Sequence, residues 1–309
     1  MNRTLKVDRT EALLAYLFTA LPETKRTVLK QRLKHGCVSV NGRIQTQFDH
    51  ALAPGDEVRI ESSPSRAVTP ALQFNLEIIY EDDALLVIHK PAGLLSIATE
   101  KVRRETAIFA VNDYLNKKAR AKTRQSPFRK RVFIVHRLDR DVSGLLLLAK
   151  TEAVKQKLQE NWDRFKKEYL AVVEGSPKER AGTCSSYLHE NKLLRIFSSP
   201  RPLTPEAKRA VTHYEVLKPG ENYSLLKIRL ETGRKHQIRV HLSDLGHPVA
   251  GDKTYHARTN PCGRIALHAW RLEFRHPVTG KDLVLTCPLP PPLARLVEKF
   301  EDKRGYVLS

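Results

Sequence analysis

Asp139 lies in the stretch of this chain that most suggests chemistry. It stands in the run His136-Arg137-Leu138-Asp139-Arg140-Asp141-Val142-Ser143-Gly144, with His136, Arg137 and Arg140 close by and the Ser143-Gly144 turn just after it. Nearby cations favour the ionised form of a carboxylate. Such a group can attack carbon as a nucleophile or take a proton as a base. Leu145 to Ala149 is an unbroken apolar run, expected to form a strand buried on both faces. A rigid strand can hold the turn that precedes it. Asp141 has the same local chemistry. His136 is read as a hydrogen-bonding strut for the Asp139 turn.

Other chemistries lack their residues. The chain has no GxGxxG and no GxxxxGK[ST] loop, so no dinucleotide or nucleoside triphosphate is implied. Cys37, Cys184, Cys262 and Cys287 are far apart and read as reduced thiols. His236 and His241, followed by His247, His268 and His276, match no zinc spacing. No metal and no cofactor are expected. The formal charge of +20 and pI near 9.9 point to a polyanionic partner. With no apolar leader and no stretch of membrane-spanning length, a cytoplasmic protein without a membrane partner is expected.

The elements that would position Asp139 belong to a large domain, expected over 74–309. Leu76 to Tyr80, Leu85 to Ile88, Tyr169 to Val173, Ser224 to Leu230 and Ile265 to Phe274 read as strands. Thr151 is expected to cap a helix with Val154, Leu158 and Trp162 on one face. A second helix is expected over His236 to Leu245, with Ile238, Leu242 and Leu245 toward a core and Gly246 closing it. Arg239 borders that buried face and can reach inward. Many strands with few helices argue for an α+β domain around an antiparallel sheet. Between Lys101 and Arg131, eleven Lys and Arg face only Glu105 and Asp113, which reads as a basic insertion.

A smaller unit is expected over 1–61, with a linker over 62–73 marked by Ser62, Ser63, Pro64, Ser65 and Pro70. Thr10 would cap a helix carrying Leu13, Leu14, Leu17 and Phe18. Thr24 would cap a second, ending at Gly36, with Val28, Leu29 and Leu33 apolar. Lys25, Arg26, Lys30, Arg32 and Lys34 fill its remaining surface. Val38-Ser39-Val40 runs into Asn41-Gly42, a hairpin signal, and Pro54-Gly55-Asp56 makes a turn before Val58-Arg59-Ile60.

HRLDRDVSG resembles the active-site motif of the RluA-type pseudouridine synthases, with Val142 where the family usually has Thr. DDALLVIHKPAGLLS, KKEYLAVVEG, LETGRKHQIRVHLSDLGHPVAGD and IALHAWRLEFRHPVTG are similar to the family's other motifs, in order, over about two hundred residues. TKRTVLKQRLKHGCVSVNGR and LAPGDEVRI resemble the S4 RNA-binding domain. The resemblance implies a bent, mixed, mostly antiparallel sheet with a central cleft, preceded by a small α/β S4-like domain. It implies isomerisation of uridine to pseudouridine in structured RNA: the N1–C1′ bond breaks, the base turns, and C5 joins the ribose. Asp139 would be the catalytic carboxylate, acting at C1′ or C2′. Arg239 would pair with it, and Tyr169 would stack on the uracil. Arg137 would fill the place of a flipped nucleotide, since a stacked base must leave its helix to react. Lys25, Arg26, Lys30, Arg32 and Arg43 would contact phosphates, which gives affinity rather than sequence choice. Large-subunit ribosomal RNA is the favoured partner and transfer RNA the alternative, with a monomer needing no protein partner. A catalytically silent RNA-binding or ribosome-assembly factor is the competing class; the Asp139, Tyr169 and Arg239 set argues against it. A metal-dependent nuclease is disfavoured by the missing carboxylate cluster.

Overall fold

The computed structural model describes residues 3–34, 37–41, 43–45, 47–60, 74, 76–122 and 130–298. The chain divides into two compact units, Met1–Ala71 and Leu72–Ser309. The expected linker, 62–73, lies outside the described residues.

The first unit opens with β1 (Arg3–Lys6), β2 (Glu11–Ala12), α1 (Leu13–Ala20) and α2 (Arg26–Lys34). Next come β3 (Val38–Val40), β4 (Arg43–Ile44), β5 (Ala51–Leu52) and β6 (Glu57–Ile60). The strands form a sheet in the order β1-β6-β3-β4, with β2 paired to β5. β3 and β4 make the hairpin announced by Asn41, whose φ is 50°; Gly42 lies outside the described residues. Leu13, Leu17, Leu29, Leu33, Val38, Val58 and Ile60 share one core.

Both expected caps are corrected. Ala12, not Thr10, precedes α1 and makes no side-chain cap bond. The carbonyls of His50 and Phe48 take the first N–H groups, of Leu13 and Leu14, at 2.8 and 3.0 Å. Tertiary contact thus satisfies the donors that a cap would otherwise serve. On α2 the Leu29 N–H bonds the carbonyl of Lys25, so Lys25 rather than Thr24 holds the cap position. Gly36, the expected stop, is outside the described residues. Val28 is exposed, which leaves Leu29 and Leu33 as the buried stripe.

The second unit is built on one large sheet. Its elements begin with β7 (Glu77–Glu81), β8 (Leu85–Lys90), α3 (Ala107–Lys122), β9 (Phe133–Ile134), β10 (Ser143–Ala149) and α4 (Glu152–Glu160). They continue with β11 (Lys166–Glu174), β12 (Ala181–Glu190), β13 (Ile196–Ser199), β14 (Lys208–Lys218) and β15 (Tyr223–Leu230). α5 (Gln237–Asp244), β16 (Leu267–Arg275), β17 (Asp282–Thr286) and α6 (Pro291–Glu298) complete it. The strand order is β13-β12-β14-β15-β11-β16-β10-β8-β7, with β17 on β16 and β9 on β10. Pairing is antiparallel except for β10 and β16, which run parallel. Sequence reading found neither β12, β13, β14, β17 nor α6.

Every residue of β10 is buried, as the leucine run requires. Alternate side chains serve opposite faces: Leu146 and Leu148 pack with α3, while Leu145 and Leu147 pack with Val154 and Leu158 of α4. Thr151 caps α4 as expected, accepting from the Val154 N–H at 3.2 Å. Part of the expected basic insertion is α3, an amphipathic helix that buries Ala107, Ala110, Val111, Tyr114 and Leu115. Arg124 and Arg129 of that run lie outside the described residues. α5 packs on β13 and β14, and its Ile238 and Leu242 share a core with Leu226 and Ile228 of β15. Among the described residues no helix is long and apolar enough to cross a membrane.

Candidate active site

Asp139 sits in the loop between β9 and β10, closed by a bond from the Val142 N–H to its carbonyl. Two flanking segments hold this loop still. The buried Lys90 ammonium donates to the carbonyls of Leu94 at 2.8 Å, Pro91 at 2.9 Å and Arg140 at 3.1 Å. Burial pulls the Lys90 pKa down to about 7; Arg264 adds to the fall, and Asp141 and Asp139 oppose it. The Ser96 hydroxyl donates to the Leu138 carbonyl at 2.7 Å, and the Arg140 guanidinium reaches the Gly93 carbonyl at 3.0 Å. His136 is a strut, though to the strand beyond the turn: its Nε2 accepts from the Leu147 N–H at 3.0 Å and its ring stacks on Trp162. Burial drives its pKa down to about 3, so it is a neutral acceptor.

Gly144 is required where it stands. Its φ is 123°, and a Cβ there would lie 2.3 Å from the Ala269 carbonyl oxygen on parallel β16. The close approach of those two backbones fixes where the Asp139 loop leaves the sheet.

α5 supplies the partner. Arg239 is buried and donates through Nη1 to Asp139 Oδ2 at 3.1 Å. Its other edge is held by Asp252, with Nε to Oδ2 at 2.6 Å and Nη2 to Oδ1 at 2.9 Å. The guanidinium also lies over the Tyr255 ring, 4.9 Å from its centre. Burial disfavours this cation, but the bonds and charges of Asp252 and then Asp139 outweigh it and raise the pKa above its ordinary value. The bidentate clamp leaves one donor aimed at Asp139.

Tyr169 enters from β11. Pairing with β16 shifts register between Glu168 and Tyr169, from Glu168 opposite Arg271 to Tyr169 opposite Ala269. A bulge of this kind re-aims side chains. Burial, and then the Asp139 charge, raises the Tyr169 pKa, so the phenol keeps its proton.

These groups line one cleft of about 260 Å³, together with Leu138, Trp162, Lys167, His236 and Ile238. Arg137 lines it too and is exposed. The structure therefore brings Asp139, Tyr169, Arg239 and Arg137 to one place. Lys25, Arg26 and Lys30 are exposed on or beside α2, Arg32 is half-buried there, and Arg43 stands in β4. Sequence reading missed Lys90, Asp252 and His236 as parts of this site. It weighs His236 only as a zinc ligand and sets that aside, yet the Nε2 of that residue lies 3.6 Å from Asp139 Oδ2. Its place three residues before Arg239, on the same helix face, was the available signal. Among the described residues no group of three or more His, Cys, Asp or Glu is arranged to hold a metal.

Comparison with known proteins bears on the family and the fold. The family model described as RNA pseudouridylate synthase matches residues 84–244, a span that holds Asp139, Tyr169 and Arg239. An uncharacterized RNA pseudouridine synthase of Bacillus subtilis is 32% identical over 307 residues, covering 95% of each chain. The ribosomal large subunit pseudouridine synthase D of Salmonella typhimurium is 31% identical, over 97% of this chain and 94% of its own. The solved structure of human RNA pseudouridylate synthase domain containing 4 superposes with a TM-score of 0.57 at 25% identity, over 72% of this chain and 92% of that one. Fold, family model and full-length relatives agree, and the chain belongs to the RNA pseudouridylate synthase family, in its RluA-type branch, as an enzyme that makes pseudouridine in RNA.

Proposed function

We propose that this enzyme modifies uridines of large-subunit ribosomal RNA, with Asp139 as its catalytic carboxylate. The observation that carries the assignment is the geometry at Asp139. It is a carboxylate on a clamped loop, 23% exposed at the cleft and bonded by an arginine that Asp252 fixes from behind. The carboxylate acts on the ribose, at C1′ as a nucleophile or at C2′ as a base. Arg239 orients it and balances its charge. Tyr169 lies under the detached uracil and holds it while C5 turns toward C1′. Arg137, at the exposed wall of the cleft, takes the space the target base leaves when it flips out. The C5 hydrogen leaves to solvent as a proton and N1 takes one up, so the reaction is an isomerisation that calls for no redox group and no nucleotide.

The large-subunit target is favoured by the relatives named ribosomal large subunit pseudouridine synthase D in Salmonella typhimurium and Nitrosomonas europaea. The first unit acts as an S4-like RNA grip. Its support is the order of two helices and a VNG hairpin, with Lys25, Arg26 and Lys30 exposed on one helix. Pseudouridine mapping of RNA from cells with and without the gene tests the target. Loss of defined sites from large-subunit ribosomal RNA is expected; loss from transfer RNA alone would refute it.

A further inference from the structure

His236 has no part in the reaction as set out above, yet the fold spends strain to place it. It precedes α5 with φ of 55°, in the left-handed region that side chains other than glycine seldom adopt. Such a conformation persists only where the surroundings hold it. Here they hold both ring nitrogens: Nδ1 lies 2.7 Å from the Tyr255 hydroxyl, and Nε2 faces Asp139 Oδ2.

The direction of the hydrogens follows from Asp139. A carboxylate only accepts, so the ring nitrogen that faces it, Nε2, is the one that carries the proton. A neutral imidazole protonated on Nε2 accepts at Nδ1, and the buried Tyr255 hydroxyl donates its hydrogen there. Burial lowers the His236 pKa; Asp139 pulls it back up, Arg239 and Lys235 push it down, and Asp252 raises it. The ring is therefore neutral near pH 7.

We infer that His236 is a positioning residue for Asp139, held by Tyr255 in the tautomer whose Nε2–H faces the carboxylate. This rests on Asp139 being the catalytic group. Arg239 and His236 converge on the same oxygen, Oδ2, which assigns Oδ1 to the ribose. At 3.6 Å the imidazole is beyond hydrogen-bond length. Bonds of this kind are often long in an empty site and tighten around the substrate.

The test uses the full chain and C5-tritiated large-subunit ribosomal RNA transcribed in vitro. Tyr255→Phe keeps the ring beneath Arg239 but frees the imidazole to move its proton to Nδ1. At pH 8 its kcat should fall roughly tenfold with KM little changed, the factor expected for losing one bond made in the transition state. As pH falls, the imidazolium carries both protons and the Nε2–H returns, so activity relative to wild type should recover. The other charges facing the ring, Asp139, Arg239, Lys235 and Asp252, and Arg195 over the Tyr255 ring, are the same in both proteins. His236→Gln, which can present an amide N–H at the same place, should retain more activity than His236→Leu. The wild-type protein labelled with 15N-histidine should show His236 protonated on Nε2. A Tyr255→Phe profile parallel to wild type, a fully active His236→Leu, or protonation on Nδ1 would each overturn the inference. Asp139→Asn is measured alongside: if it stays active the catalytic assignment itself fails, whereas an inactive Asp139→Asn with a flat Tyr255→Phe profile removes only the role of His236.

Discussion

Arg239 faces two carboxylates and divides its donors between them, so the catalytic loop and α5 meet through a group that cannot turn away. Lys90 does comparable work on the opposite side of the loop, its Nζ buried among carbonyls. Its pKa has a consequence for stability. In the unfolded chain the lysine keeps its proton up to its ordinary value of 10.5, and in the fold it gives it up near 7. Between those values the unfolded state binds more protons, so this residue makes stability rise with pH and the gain is lost as pH falls toward 7. Urea unfolding of wild type and Lys90→Met at several pH values from 7.5 to 9.5 checks the sign. The wild type should gain on the variant by at most about 1.4 kcal/mol per pH unit. An unchanged difference would mean that the folded lysine stays charged throughout.

Asp139 stood out because it lies in a compact charged run ahead of an apolar strand, a run that resembles a family motif. His236 and Asp252 did not. Their roles depend on contacts that close across the fold, as the Arg239–Asp139 bond does across 100 residues. No local pattern of charge or period reports such a contact.

Among the elements, β10 carries the most, since it anchors the Asp139 loop at one end and is buried on both faces. Its parallel run beside β16 rests on Gly144. Gly144→Ala must relieve both a left-handed backbone and a clash with the Ala269 carbonyl. A loss of about 3 kcal/mol is expected, combining backbone strain with overpacking. Gly246 is also left-handed, with φ of 84°, but a Cβ there meets nothing within 4 Å. Gly246→Ala should therefore cost less, about 1 kcal/mol, and spare activity. Thermal unfolding of the two variants, with activity read alongside, separates a steric requirement from a turn preference. Equal effects would show that the parallel contact is not what fixes the loop.

β10 and α5 were readable because five apolar residues in a row, or Ile238 and Leu242 four apart, leave few alternatives. α3 carried a similar signal in Ala107, Ala110, Val111, Tyr114 and Leu115, but Lys117, Lys118, Arg120 and Lys122 obscured it. β12 alternates between half-buried and exposed positions filled by Gly, Thr, Cys and Ser. Such a strand is specified by its partners more than by its own residues. The cap expected at Thr10 failed for the same reason, because carbonyls from a later segment had already filled the place.

At the scale of the whole molecule, the chain carries a charge of +20 and folds as two compact units, and the proposed roles divide between them. Each proposed catalytic side chain lies in the second unit, and Lys25, Arg26, Lys30, Arg32 and Arg43 lie in the first. Removal of residues 1–71 should leave a folded second unit that binds RNA more weakly. The slope of log affinity against log salt should fall by roughly 0.7 to 0.9 for each phosphate no longer neutralised. An unchanged slope would remove the first unit from RNA binding.

The central claim is that the Asp139 carboxylate makes pseudouridine in RNA. The most direct measurement is tritium release from C5-labelled ribosomal RNA by Asp139→Asn, paired with a binding isotherm on the same RNA. The substitution keeps the size of the side chain and an oxygen for Arg239, and removes the negative charge. No release above background is expected, with binding within about threefold of wild type, because the proposed phosphate contacts are scattered cations rather than this one anion. Release near the wild-type rate would contradict the claim.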